Sequence, residues 1–253
     1  MKKPPNFRGL FFCFHLGYSS RHVWDDFLTN TGSLVKPKTV LIIYYSFSNQ
    51  TLNVVNGLAK GLEEGGVIVQ FEQLKPLQPP PFPTDSYFKA LRMMFAAFMR
   101  HQIAVQKPVA VNSCDWDLVI CAGPTWSYHP SGPMLYFLSQ FAGESLAGRL
   151  VLPFICCRTY WRLHAWEVRR LLERAGARVL SAMAVRHPFQ GFWCTFGVFA
   201  KLAGKMPHFC QHMLQTYCPR FGYTQQQIEA VRNIGLRIAQ ALSEGNMDEK
   251  FRV

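Results

Sequence analysis

The sequence predicts an α/β fold: a doubly wound, five-stranded parallel sheet with two apolar, aromatic-rich insertions. Three observations point there. Uncharged apolar runs of strand length recur along the chain. Segments with one apolar helical face separate them. Glycines stand where several of these helices should stop.

The first run, residues 39–45 (TVLIIYY), is β-branched and aromatic without a charge, as a strand buried on both faces requires. Residues 50–64 place Leu52, Val55, Leu58 and Leu62 on one helical face and end at Gly65-Gly66. VIVQFEQL (67–74) is the next strand, which completes a βαβ unit. WDLVICAG (116–123) is the third strand and leads into a helix at 131–142. RLVLPFIC (149–156) is the fourth, followed by a helix at about 160–175 that Gly176 stops. ARVLSAMAV (177–185) is the fifth. The closing helix opens with Thr224 and Gln227 at capping-box spacing and buries Ile228, Val231, Ile234, Ile238 and Leu242.

Residues 1–37 precede this pattern as an extension, and 38–253 form one domain. The extension has a basic start and about ten apolar residues, as a signal peptide has, but lacks a small-x-small cleavage site and carries His15 inside the apolar run. A peripheral segment and a misplaced start codon remain open beside the signal reading. The insertions are about 75–114 and 187–223. In the first, Phe88, Leu91, Phe95 and Phe98 share one helical face beside Lys89, Arg92 and Arg100, and Met93, Met94 and Met99 widen the apolar side. Such a helix either packs on the sheet or serves as a lid or a membrane-surface helix. The second, with Phe192, Trp193, Phe196 and Phe199 followed by Lys201 and Lys205, has the same character.

Half the residues are hydrophobic (49%) and 17% are charged, which excludes global disorder. No apolar run reaches the roughly 18 residues of a spanning helix. The formal net charge of +12 favours anionic partners. The basic residues are spread along the chain without a nucleic-acid motif, so nucleic acid is not an expected partner. Eight irregularly spaced cysteines read as reduced cytosolic thiols. Cys156-Cys157 is a redox pair or, more plainly, strand-end filling. His208, Cys210, His212 and Cys218 lack paired C-x-x-C geometry, and no metal is expected. There is no GxxxxGK[ST] loop for ATP.

In an open parallel sheet, ligands sit beyond the carboxyl ends of the strands where strand order reverses. The loops at 46–51, 124–130 and 157–162 follow such ends. SFSNQT is dense in hydroxyls and amides and opens a helix, a charge-neutral cradle for a phosphate dianion or simply a helix cap. AGPTWSYHPSGP sets Trp126 and Tyr128 among stiffening prolines, where a planar ring could stack. His129 is a proton donor to such a ring or, more plainly, a polar loop residue.

VLIIYYSFSNQT…VVNGLAKGL, WDLVICAGPTW…P…FL, RLVLPFICC…LLERAGARVL and IGLRIAQAL resemble the flavodoxin-like family over most of residues 38–243 apart from the insertions. CRTYW, the aromatic insertions and KLAGK give a looser likeness to the flavodoxin-like dialkylresorcinol condensing enzymes. The resemblance implies a flavodoxin-like sheet and FMN. It implies that Ser46, Ser48, Asn49, Gln50 and Thr51 hold the ribityl phosphate, with Asn49 where the family's loop has glycine. It implies that Pro124, Thr125, Trp126, Ser127 and Tyr128 flank the isoalloxazine, with Arg158, Thr159 and Tyr160 in the third loop. Asparagine is among the few residues that tolerate left-handed backbone, so the turn is expected to survive.

The expected function is an FMN-dependent oxidoreductase that moves hydride or electrons between NAD(P)H and a hydrophobic acceptor, such as a quinone or an alkyl-bearing ring. The alternatives are a flavin-free accessory protein on the same fold and a flavodoxin-type electron carrier. Such carriers are typically acidic, and this chain is basic. A cytoplasmic location, peripheral contact with the inner face of the membrane and a homodimer complete the expectations.

Overall fold

The structure, a computed structural model, describes residues 37–189, 191–205, 216, 222–247 and 251. The extension before them and His208, Cys210, His212 and Cys218 lie outside the described residues. Strand β1 (Thr39–Tyr44) is followed by helix α1 (Gln50–Glu64), β2 (Ile68–Gln73) and α2 (Tyr87–Phe98). Next come β3 (Leu118–Trp126), β4 (His129–Pro130), α3 (Gly132–Gln140), α4 (Ala142–Leu146) and β5 (Leu150–Cys157). The chain continues through α5 (Arg162–Arg174), β6 (Arg178–Val179), β7 (Met183–Arg186), α6 (Phe192–Ala203) and α7 (Gln225–Glu244).

The sheet runs β2-β1-β3-β5-β6, all parallel, with β7 alongside β5 beyond β6. Alternation explains the uncharged first strand. Val40, Ile42 and Tyr44 face a core shared with α1 and α7, while Leu41, Ile43 and Tyr45 face one shared with α3, α4 and α5. The capping box at Thr224 and Gln227 is formed, with Gln227 N–H donating to Thr224 Oγ1 at 3.2 Å.

Three elements differ from their sequence outline. The fifth strand is two short pieces. Val151 and Cys157 turn their carbonyls to that side, toward Leu180 N–H (2.9 Å) and His187 N–H (2.8 Å), so alternation turns Pro153 there too, with no N–H to give. Ser181 N–H instead donates to the Phe251 carbonyl at 2.8 Å. The helix outlined at 131–142 is α3 and α4, interrupted at Phe141. Finally, α2 does not cover the sheet. Leu74, Val105, Val111 and Trp116 do that between β2 and β3, which leaves α2 for another task.

Candidate functional site

Neighbouring strands β1 and β3 connect to elements on opposite faces of the sheet, which opens a crevice between their carboxyl ends. After β1 the chain turns at 46–49. Ser46 Oγ accepts from Leu52 N–H at 3.2 Å and ties the turn to the first turn of α1. Asn49 stands at φ 58°, ψ 0°, left-handed backbone that asparagine tolerates better than most residues. The amide N–H groups of Ser48, Asn49, Gln50 and Thr51 meet no acceptor among the described residues. They form an anion-seeking helix start.

The second loop is a hairpin. Ser127 (φ 43°) and Tyr128 (φ 77°) make the two-residue turn between β3 and β4, since positive φ at both central positions matches the strand twist. Trp126 stands edge-on to Tyr45 (centroids 5.7 Å) and Phe47 (5.3 Å), so its indole is fixed by packing. Tyr128 does not line the cavity, and its ring meets that of Tyr160 at 5.0 Å. In the third loop, Arg158 Nη1 donates to the Phe189 carbonyl at 3.1 Å.

The loops meet around one cavity of about 260 Å³. Ser48, Gln50 and Thr51 line it from the first loop, Pro124 to Ser127 from the second, and Cys156, Cys157 and Arg158 from the end of β5. Of the residues singled out by sequence, Ser46 and Asn49 shape the turn without lining the cavity, and Tyr128, Thr159 and Tyr160 lie outside it. The roof was less legible. Met93, Met94 and Ala97 of α2 and Val198, Lys201 and Leu202 of α6 close the cavity from above.

The two insertions thus form one lid. Thr84 donates its N–H (2.8 Å) and its hydroxyl (3.1 Å) to the Leu202 carbonyl, and the Tyr87 hydroxyl donates to the Lys205 carbonyl at 2.7 Å. Ala90, Leu202 and Ala203 form a small core of their own between α2 and α6. Gly204 is needed at the joint: it has φ 68°, and a Cβ there would lie 2.8 Å from Pro83.

A buried polar network fastens the lid to the body. Ser127 Oγ donates to the Met94 carbonyl at 2.9 Å. Glu167 of α5, almost wholly buried, takes Arg100 from the end of α2 on one carboxylate oxygen and His129 Nδ1 at 2.7 Å on the other. A buried carboxylate requires such partners. His129 is therefore a fastening residue and does not line the cavity. One helical turn before Glu167, His164 Nδ1 lies 2.7 Å from Thr125 Oγ1, and burial, with His129 nearby, pushes its pKa down to about 3.

That depression has a testable sign. The unfolded chain takes up a proton near pH 6.5 and the folded protein does not until about pH 3, so stability complete above pH 6.5 is lost as pH falls toward 3. The expected slope is at most about 1.4 kcal/mol per pH unit. Denaturant titrations at pH 7 and pH 5 check it. His164→Asn should show a smaller difference between the two than the unsubstituted chain, and equal differences would overturn the assignment.

The adjacent cysteines are free thiols buried at the end of β5. Burial pushes the Cys156 thiol up to about 12 and the Cys157 thiol up to about 11, so both stay protonated near neutrality. Among the described residues no cluster of three His, Cys, Asp or Glu side chains could hold a metal ion.

Counting the parallel strands alone, with the β6–β7 pair as the fifth, the order is 2-1-3-4-5, with the cavity at the β1/β3 switch point. The fold is flavodoxin-like. No protein-family model matches the chain, and no curated protein matches it. Similar solved structures include a flavodoxin from the domain Archaea, 11% identical over 81% of this chain and 99% of that one, TM-score 0.46. A flavoprotein in complex with FMN from Lactobacillus acidophilus is 18% identical over 58% of this chain and 93% of its own, TM-score 0.45. A flavone reductase is 13% identical over 81% of this chain and 63% of its own, TM-score 0.44. The flavodoxin-like assignment rests on strand order, not on these likenesses.

Proposed function

We propose that this chain holds FMN at the β1/β3 crevice and transfers hydride or electrons between NAD(P)H and a hydrophobic acceptor, such as a quinone or an alkyl-bearing ring. The observation that carries the proposal is the convergence of a helix start with unpartnered N–H groups and a walled, apolar-roofed cavity. The residues present fit the group. The amides of 48–51 and the hydroxyls of Ser48 and Thr51 receive the phosphate. Trp126 gives the isoalloxazine a fixed apolar wall beside the Thr125 and Ser127 backbone. FMN, when bound, supplies a ring that accepts and releases hydride or electrons. The chain's own residues orient it and keep water away. Met93, Met94, Ala97, Val198 and Leu202, with Lys201 the one cation among them, give the cavity a mainly apolar roof, which suits a greasy acceptor better than a sugar.

A narrow electron carrier is disfavoured by the net charge of +12 and by the roof. A flavin-free accessory protein makes the opposite prediction for one measurement. FMN titrated into the purified, flavin-stripped chain should bind with quenched fluorescence, and Trp126→Leu should restore part of the emission. NADH or NADPH should then be oxidised in the presence of a quinone. Absence of FMN binding removes the proposal. Binding without turnover on any quinone leaves the carrier reading in its place.

A further inference from the structure

Helix α2 is apolar on two faces. Ala90, Met93, Met94 and Ala97 face the lid joint and the cavity. On the other side Phe88, Leu91, Phe95 and Phe98 recur at i, i+3, i+7 and i+10 and are all exposed, Phe88 by 74% and Phe95 by 62%; Met99 extends the stripe. Among the described residues, the packing contacts of α2 with the lid joint and the cavity come from its inner face.

The exposed apolar surface continues beyond the helix. The Phe98 ring approaches that of His129 (6.3 Å), and the adjoining Tyr128 meets Tyr160. Leu163 and Trp166 follow, exposed on α5. Contiguous patches of this kind mark interaction sites, whereas isolated exposed apolar residues do not.

Charge selects the partner. Lys89, Arg92, Arg162 and Arg170 border the patch without an ion-pair partner among the described residues, and the Arg170 guanidinium lies 5.3 Å over the Trp166 ring. No acidic residue occurs between Asp85 and Asp115. On α5, Glu167 is buried beneath Arg100 and His129, and Glu173 is paired with Arg169. An apolar stripe with a cationic border and Tyr and Trp side chains at its edge matches the boundary of an anionic bilayer. A second copy of the chain fits less well, because two-fold pairing through α2 would set Lys89 and Arg92 against the same cations of the partner.

We propose that this face docks on an anionic lipid surface. Helix α2 lies in the headgroup region with Phe88, Leu91, Phe95 and Phe98 inward, and Tyr128, Tyr160 and Trp166 anchor the neighbouring loops at the interface. The proposal is independent of the acceptor and of flavin itself.

Co-sedimentation of the full chain tests it, with vesicles of phosphatidylcholine alone and of phosphatidylcholine mixed with phosphatidylglycerol. Binding is expected to the anionic vesicles, to weaken at high salt and to be weak or absent on phosphatidylcholine alone. Leu91→Glu with Phe95→Glu touches only exposed positions, so it should keep the melting temperature while lowering anionic-vesicle binding by about tenfold or more. Sedimentation velocity runs beside it. No binding to anionic vesicles, equal binding by the double variant, or a dimer that this variant dissociates would each overturn the proposal.

Discussion

Gly61→Ala is expected to lower the melting temperature by roughly 6–12 °C, the equivalent of about 3 kcal/mol in a domain of this size. Gly61 lies where α1 crosses α7, and a Cβ there would sit 1.9 Å from the Arg232 carbonyl oxygen and 3.0 Å from Leu236 N. Gly235, facing it from α7, is as restricted, with the Leu58 carbonyl oxygen 2.3 Å from an added Cβ. All of these obstacles are backbone atoms, so no rotamer change relieves the clash and the helices must move apart. That separation opens the core beneath, where Leu58, Leu62, Val231 and Ile238 pack. Thermal denaturation followed by circular dichroism measures the effect. A shift within about 1 °C would mean that the two backbones do not touch.

The second large effect belongs to the proposed FMN site. Replacing Ser48 and Thr51 together by alanine should weaken FMN binding by about 10²- to 10⁴-fold, because each hydroxyl lost from a charged acceptor costs about 1.5–3 kcal/mol. Thr51 is buried at the cavity wall, and its hydroxyl approaches the Cys156 thiol, which keeps the side chain in place. Ser46→Ala is an informative contrast. Its hydroxyl is engaged with Leu52 N–H, so its loss should act through the turn, lowering stability together with affinity. Isothermal titration of FMN into the three proteins decides the matter. Equal affinities for the double variant and the unsubstituted chain would place the phosphate elsewhere.

The sheet was legible because its strands are buried on both faces, and burial writes itself as a run such as VLIIYY. Helix α1 was legible to the residue, since the amphipathic face ends where Gly65 and Gly66 begin. The break in the fifth strand was not, because its cause, Pro153, lies in the neighbouring strand and only pairing brings the two together. In the site, hydroxyl density marked the first loop and prolines the second. The placing of Tyr128 beside Tyr160 instead of in the cavity wall goes with a hairpin turn that has positive φ at two residues that are not glycine, which no local pattern announces. His164 and Glu167 escaped notice for another reason, and Arg100 was read only as one cation of a helical stripe: each is an ordinary charged or polar residue on a helix or at its end. Their meaning comes from a hairpin and a helix far apart in the chain. The lid helix was visible as an amphipath with too many apolar residues. Which side it would turn to the cavity was not.

The hydrogen bonds from Thr84 and Tyr87 to the far end of α6 span 118 residues each. On a chain made from its amino terminus, β1, α1 and β3 emerge long before Lys205. Closing a loop of that length carries an entropic cost that nearby pairings do not. The contacts that close the roof therefore wait until Lys205 has been made. The body beneath is not complete at that point either, because α7, which packs on α1 and the β1 side of the core, follows α6 in the chain. Body and roof are finished by the same last stretch of the chain.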